Sequence, residues 1–133
     1  MSEKHHALVA RTKGLLQSNP LVVCGYLFGS HARHEAHRDS DVDIAVLTEH
    51  EPGGRLLNPL ARLRLELEAE LRRPVDLIHL NHAPPDLVHR ILRDGQLLCD
   101  KAPNTRIAFE VRARNEYWDL LPYLTEYRQA QGD

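Results

Sequence analysis

Apolar residues follow two different periods along the chain. Segments 21–28, 41–47 and 75–80 are short and mostly apolar, and the first is apolar at nearly every position, which is typical of a strand buried on both faces. Segments 3–18 and 59–71 instead carry apolar residues every three to four positions and predict amphipathic helices. Alternating helices and strands predict an α/β fold with a small mixed (α+β) sheet flanked by helices.

Shorter elements complete this pattern. Residues 30–35 predict a short helix, and 86–93 another, which ends at the Asp94-Gly95 turn. Residues 96–99 predict a short edge strand. Residues 48–58 contain a Pro-Gly-Gly sequence and predict a loop.

A long C-terminal helix is predicted over about residues 104–130, with Asn104 as its N-cap and a kink or interruption at Pro122. Its apolar residues form two stripes about 80° apart on a 3.6-residue period. These are a tryptophan stripe (Ile107, Val111, Trp118, Leu121) and a tyrosine stripe (Tyr117, Leu120, Leu124, Tyr127). We expect one stripe to pack on the domain and the tyrosine stripe to be exposed for protein contact, the alternative being that both are buried.

Composition narrows the class of protein. The 133 residues predict a single domain, 1–133, and the net charge of −2 offers no electrostatic case for nucleic-acid binding. No apolar run approaches membrane-spanning length, and the polar N-terminus predicts no signal peptide. The two isolated cysteines, Cys24 and Cys99, suggest no disulfide framework, so we expect a cytoplasmic protein.

Candidate chemistry is concentrated where the first strand ends. Gly29-Ser30 follows that strand directly, and Asp41 and Asp43 open the second strand ten residues later. Side chains two apart on a strand share a face, so the two carboxylates point the same way and suit Mg²⁺. Gly29 permits close backbone approach to a ligand, and the Ser30 hydroxyl with neighbouring N–H groups can hold phosphate oxygens. The stretch therefore predicts a nucleoside triphosphate site.

The motif G-S-x10-D-x-D, with Ala32-Arg33 and Ser40 in place, resembles the minimal nucleotidyltransferases of the DNA polymerase β-like superfamily. More narrowly, it resembles the MntA-type antitoxins encoded beside HEPN-domain toxins of the HepT type. The resemblance extends over nearly the whole chain, because residues 74–78 and 109–112 also fit. It implies the nucleotidyltransferase fold and ATP as the nucleotide.

Asp76 is the charged residue of the third strand and the candidate third carboxylate. Two-metal phosphoryl transfer needs one more ligand near the nucleophile, although a charge at a strand end can also simply be exposed. The resemblance implies that Asp41, Asp43 and Asp76 bind two Mg²⁺ ions and perform the catalysis. It assigns nucleotide binding to four further residues: Gly29, Ser30, Arg33 and Ser40. For Arg33, a solvent-exposed helix arginine is an equal alternative.

The resemblance also implies a reaction and a partner. We expect AMP transfer from ATP to a tyrosine hydroxyl of a cognate HEPN-domain RNase toxin, which contacts the C-terminal helix through the tyrosine stripe. One alternative is an antitoxin that acts by binding alone. Another is a nucleotidyltransferase acting on a small-molecule hydroxyl, for which the chain offers no acceptor pocket that we can locate.

Two histidine patterns carry weaker signals. His31, His34 and His37 are three residues apart and could ligate Zn²⁺, but a solvated helix face is the preferred interpretation. Arg73 and His79 match the R-x5-H spacing of a HEPN RNase. Since these two residues straddle a predicted strand rather than share a helix, we interpret the match as accidental.

Overall fold

The computed structural model describes residues 3–33, 41–49 and 59–130. Within these ranges a four-stranded sheet lies between two helical layers. In chain order the elements are α1 (Glu3–Ser18), β1 (Val22–Phe28), α2 (Gly29–Ala32), β2 (Val42–Thr48), α3 (Pro59–Leu71), β3 (Val75–His79), a 3₁₀ helix (Leu80–His82), α4 (Pro85–Asp94), β4 (Gln96–Asp100) and α5 (Pro103–Ala130).

The sheet is mixed, as predicted. Its strand order is β3-β2-β1-β4, with β1 antiparallel to both β2 and β4, and β2 parallel to β3. The predicted edge strand, β4, does lie at an edge. Strand β1 is central and is buried from Val22 to Leu27, which confirms the prediction made from its continuous apolar run.

The first helical layer consists of α1 and α3, which pack on one face of the sheet. The predicted leucine stripe of α3 is buried along its whole length: Leu60, Leu63, Leu67 and Leu71. The hydroxyl of Thr12 is also buried in α1, where it donates a hydrogen bond to the Leu8 carbonyl oxygen at 2.8 Å. A buried threonine is tolerated there because its own helix supplies the acceptor.

The second helical layer consists of α4 and α5, and a polar network joins it to the sheet. The Tyr26 hydroxyl donates to Glu110 Oε1 at 2.8 Å, and Arg106 pairs with Glu110 at 3.0 Å and with Asp100 at 3.0 Å. Beside this network, burial raises the pKa of the Cys24 thiol to about 12, so the thiol stays protonated at neutral pH.

Helix α5 differs from its prediction at both ends. It begins at Pro103, so Asn104 lies inside the first turn and is not the N-cap. Pro suits this first position because its missing N–H has no intrahelical acceptor there. The helix also continues through Pro122 to Ala130, so the predicted interruption is wrong. Pro122 removes one N–H donor from the helix, and the flanking turns hold the segment helical.

The exposure predicted for the tyrosine stripe is wrong over most of its length. The Tyr117 ring stacks on His89 of α4 with ring centroids 3.7 Å apart, and Leu120 and Leu124 are half-buried. Only Tyr127 of that stripe is exposed, at 65%. The docking of α4 against this side of α5 is a tertiary contact that helical periodicity does not reveal.

The tryptophan stripe instead faces outward. Its exposed members are Ile107, Val111 and Trp118, while Leu121 is half-buried. An apolar stripe of this kind, on the far side of a long helix, is typical of a surface that contacts another protein. Separately, none of the helices in the described ranges is both long and apolar enough to cross a membrane.

Candidate active site

Three strand ends bring the predicted site residues side by side. In the antiparallel pair β1–β2, Phe28 lies opposite Asp43, and in the parallel pair β2–β3, Asp43 lies beside Asp76. Adjacent strands are about 4.8 Å apart, so Gly29, Asp43 and Asp76 occupy neighbouring positions at one end of the sheet. Asp76, which the sequence analysis predicted as the third carboxylate, is 33 positions after Asp43 in the chain.

The carboxylates point away from the α1–α3 core. Val42 and Ile44, which flank Asp43 in β2, are fully buried in that core. Asp43 is half-buried on the opposite face, and Asp41 and Asp76 are exposed. The alternation predicted for this strand is therefore observed, and it opens the acidic side chains to a ligand.

Gly29 lies against the Asp43 carboxylate without space for a side chain. Its φ is +71°, in the left-handed region that favours glycine, and a Cβ built there would clash with Asp43 Oδ2. Helix α2 begins at Gly29, so Ser30 lies in its first turn, next to this contact. The sequence between the first strand and Ser30 therefore places backbone N–H groups beside a carboxylate cluster.

Burial and neighbouring negative charges both disfavour the ionised form of Asp43. Burial raises the pKa of this carboxyl most, followed by the negative charges of Asp76 and then Asp41, while His31 and Arg33 lower it. The three carboxylates therefore repel one another, and a cation placed among them would be stabilised.

The carboxylates fit an open Mg²⁺ site better than a metal site in which the protein supplies every ligand. Among the described residues, no three His, Cys, Asp or Glu side chains surround a common point. Mg²⁺ is commonly held by one or two carboxylates, with water and substrate phosphates completing its shell. Exposed Asp41 and half-buried Asp43 meet that requirement, with Asp76 on the adjacent strand.

His31 in α2 and Arg33, which directly follows α2, are the described cations nearest in sequence to the Gly29-Ser30 turn. His31 is only 6% exposed and acts electrostatically on Asp43, so the solvated helix face predicted for it is wrong. The three-residue spacing of the histidines singled out His31, but no spacing rule predicts its burial. Arg33 is exposed yet also acts on Asp43, which is compatible with contact to a phosphate. His34, His37 and Ser40 lie outside the described residues.

Known proteins are similar to this chain in sequence and in fold. A family model described as "Polymerase beta, Nucleotidyltransferase" matches residues 11–104. The protein adenylyltransferase MntA of Shewanella oneidensis is 37% identical over 87 residues, which are 63% of this chain and 59% of that protein.

Two solved structures resemble the chain along nearly its whole length. One is a toxin–antitoxin with AMP-PNP, with a TM-score of 0.72 and 29% identity, covering 92% of this chain and 93% of its own. The other is the MNT antitoxin in complex with the tri-AMPylated HEPN toxin of Shewanella oneidensis, with a TM-score of 0.69 and 26% identity, covering 95% of this chain and 93% of its own. Since the family model spans well over half of the 133 residues, the chain belongs to the polymerase β-type nucleotidyltransferase family.

Proposed function

We propose that this chain is an antitoxin that transfers AMP from ATP to a tyrosine hydroxyl of a cognate HEPN-domain toxin and thereby neutralises it. The observation that carries the proposal is the placement of Gly29, Asp43 and Asp76 on neighbouring strand ends. The similar MNT antitoxin, which is bound to a tri-AMPylated toxin, supports the choice of acceptor.

Asp41, Asp43 and Asp76 are the residues that would hold Mg²⁺. The ions would neutralise charge on the phosphates and lower the pKa of the acceptor hydroxyl. Gly29 and Ser30 hold the outer phosphates through backbone N–H groups and a hydroxyl, and Arg33 pairs with a phosphate oxygen. The motif assigns Ser40 to the same nucleotide.

Asp76 is the residue that receives the acceptor proton. The hydroxyl oxygen forms a bond to the α-phosphorus of ATP, and the bond from that phosphorus to the pyrophosphate oxygen breaks. Pyrophosphate leaves with the electron pair of the broken bond, and the hydroxyl proton passes to the Asp76 carboxylate. Strand β3 is the edge strand beside Asp43, so an acceptor can reach Asp76 from outside the sheet.

The test is a double substitution, Asp41→Asn with Asp43→Asn, assayed with α-labelled ATP and the toxin encoded beside this chain. We expect transfer of label to the toxin to fall below detection while the thermal unfolding transition stays cooperative. Glu70→Gln, which changes an exposed carboxylate on α3, is the control and should transfer label normally. Undiminished transfer by the double variant would remove the site assignment.

A second candidate is an antitoxin that acts by binding alone. The outward-facing Ile107 and Val111 of α5 favour it, because they offer an apolar surface that needs no chemistry to cover a toxin. The same double variant separates the two functions. Neutralisation of the toxin without transfer of label would support binding alone, whereas loss of both would support AMP transfer.

The cytoplasm is the compartment that we propose for this reaction. It supplies ATP, and the free thiols of Cys24 and Cys99 are compatible with its reducing conditions.

A further inference from the structure

The junction between α3 and β3 contains a hydrogen bond that lies outside the site described above. Residues 72–74 alone separate the end of α3 from β3, and Asp76 is the second residue of that strand. The contacts that fix the first residues of β3 therefore also fix the backbone that carries the third carboxylate.

The side chain of Glu68, in the last turns of α3, closes this junction. Its Oε2 accepts a hydrogen bond from the backbone N–H of Val75 at 3.1 Å. Within the described ranges β3 is an edge strand, and this N–H is satisfied by a helix carboxylate instead of a further strand. The other oxygen, Oε1, accepts from Arg64 Nη1 at 2.9 Å, so the two carboxylate oxygens bind different partners.

The way in which α3 ends keeps Glu68 close to the start of the strand. The Arg72 N–H donates to the Glu68 carbonyl oxygen at 2.8 Å, and Arg72 has a φ of 56°. A left-handed residue whose N–H bonds to the carbonyl four residues earlier is a common way to end a helix. Glu68 therefore accepts from the junction through its backbone oxygen and, at Val75, through its carboxylate.

The acidic pair of β2 is attached to the same junction from the other side. The Val42 N–H donates to the Pro74 carbonyl oxygen at 3.0 Å, and Val42 is the residue between Asp41 and Asp43. The chain just before Asp76 is thus held by β2 through one backbone group and by α3 through the next. Without the bond to α3, the start of this edge strand would be held by β2 alone.

The bond to Val75 is the more consequential of the two that the Glu68 side chain makes. The ion pair with Arg64 is partly open to water, with side-chain exposures of 42% for Arg64 and 28% for Glu68, and such pairs add little. Val75 is only 6% exposed, and a buried N–H that loses its acceptor is costly. The strand start should therefore shift or loosen when the Glu68 carboxylate is removed.

We propose that Glu68 is a positioning residue for AMP transfer, which fixes the start of β3 through the Val75 N–H and so holds Asp76 in place beside Asp43. This inference rests on the proposed nucleotidyl transfer and adds to it a residue that acts through Asp76. It predicts a defect in the chemical step and not in ATP binding, because Gly29 and Ser30 follow β1, on the opposite side of β2 from β3.

Kinetics of AMP transfer to the toxin, with rates normalised to folded protein, test this role. Glu68→Ala should lower kcat about tenfold and leave the KM for ATP within about twofold, because a shift of about 1 Å costs about 100-fold and a smaller shift is expected here. Glu68→Gln keeps an oxygen that accepts the Val75 N–H, so it should restore most of kcat. Arg64→Ala removes the ion pair alone and is the matched control, with kcat close to that of the original chain.

Three kinetic results would overturn the proposal. The first is an unchanged kcat in Glu68→Ala, and the second is a rise in the KM for ATP without a loss of kcat. The third is an equal loss of kcat in Arg64→Ala, which would assign the effect to the ion pair and not to the bond with Val75.

Amide hydrogen exchange in the chain alone is a second measurement, and it does not depend on AMP transfer. The Val75 amide should exchange about tenfold faster in Glu68→Ala than in the original chain or in Arg64→Ala. Equal exchange in all three would overturn the Glu68 assignment even if the original chain modifies the toxin. Absence of label transfer by the original chain would instead refute the proposed function, and exchange would still decide whether Glu68 holds the start of β3.

Discussion

The two helical layers are attached to the sheet by different interactions. The layer of α1 and α3 contacts it mainly through aliphatic side chains. The layer of α4 and α5 adds partly buried polar contacts, in which Glu110 accepts from both Tyr26 and Arg106. Asp43 also faces this second layer. The comparison teaches that the apolar layer supplies stability, while the polar layer tolerates the charges that the chemistry requires.

Leu67→Ala should have the largest effect on stability, because it leaves a cavity in the aliphatic layer. Leu67 is fully buried, and removing such a side chain costs about 2–5 kcal/mol in the free energy of unfolding. Denaturant titration measures this loss, and Leu65→Ala, which changes a residue that is 56% exposed on the same helix, is the matched control. The rate of AMP transfer per folded molecule should not change. A large fall in that rate would contradict the separation of the two layers.

Gly29→Ala should reduce the rate of AMP transfer most among the changes that keep all three aspartates. The new Cβ would clash with the Asp43 carboxylate, and alanine is strained at a φ of +71°. Displacing a catalytic group by about 1 Å can cost about 100-fold in rate, so we expect that reduction in AMP transfer. Gly14→Ala is the control, since a Cβ there meets no atom within 4 Å. Equal transfer by both variants would contradict the close contact.

Local patterns predicted the aliphatic layer well. The leucine spacing of α3 and the continuous apolar run of β1 each depend on one element, and burial alone determines which face turns inward. The motif from Gly29 to Asp43 could also be recognised from the sequence, because Gly-Ser and D-x-D need specific residue types at a short, fixed spacing. The prediction of Asp76 depended only on the third strand pairing with β2, and β3 does pair with β2.

Features that depend on how separate elements meet were harder to predict. The two stripes of α5 look alike in a helical projection, and only the stacking of Tyr117 on His89 determines which stripe faces the domain. The burial of His31 depends likewise on what covers the short helix α2. No local period contains that information, so the exposed stripe of α5 was predicted wrongly although the helix itself was predicted correctly.

Tyr26→Phe tests the polar attachment of α5 with a smaller change. It removes the 2.8 Å hydrogen bond to Glu110 and keeps the ring, so the free energy of unfolding should fall by about 1 kcal/mol. Thermal unfolding measures the loss, and Tyr127→Phe, at an exposed position, should show none. Equal stability of both variants would indicate that apolar contacts alone hold this layer.

Asp43→Asn should have the smallest effect on stability, because Asp43 is only half-buried and water screens its charge. Unlike the other substitutions, it should raise the stability. Burial and then the charges of Asp76 and Asp41 raise the pKa of this carboxyl above its ordinary value of 3.8, so ionising it destabilises the folded chain. That cost is absent below pH 3.8 and complete once the pH exceeds the raised pKa.

In EDTA at pH 7, the Asn variant should therefore unfold at a higher temperature than the original chain, and the difference should vanish on acidification. Glu70→Gln, at an exposed position in the other layer, should give no such gain. Adding Mg²⁺ should stabilise the original chain more than the variant, because an ion offsets the repulsion that only the original chain retains. A variant no more stable at pH 7 than the original would mean that solvent already relieves this repulsion, and the polar layer would then carry its charges at no cost to folding.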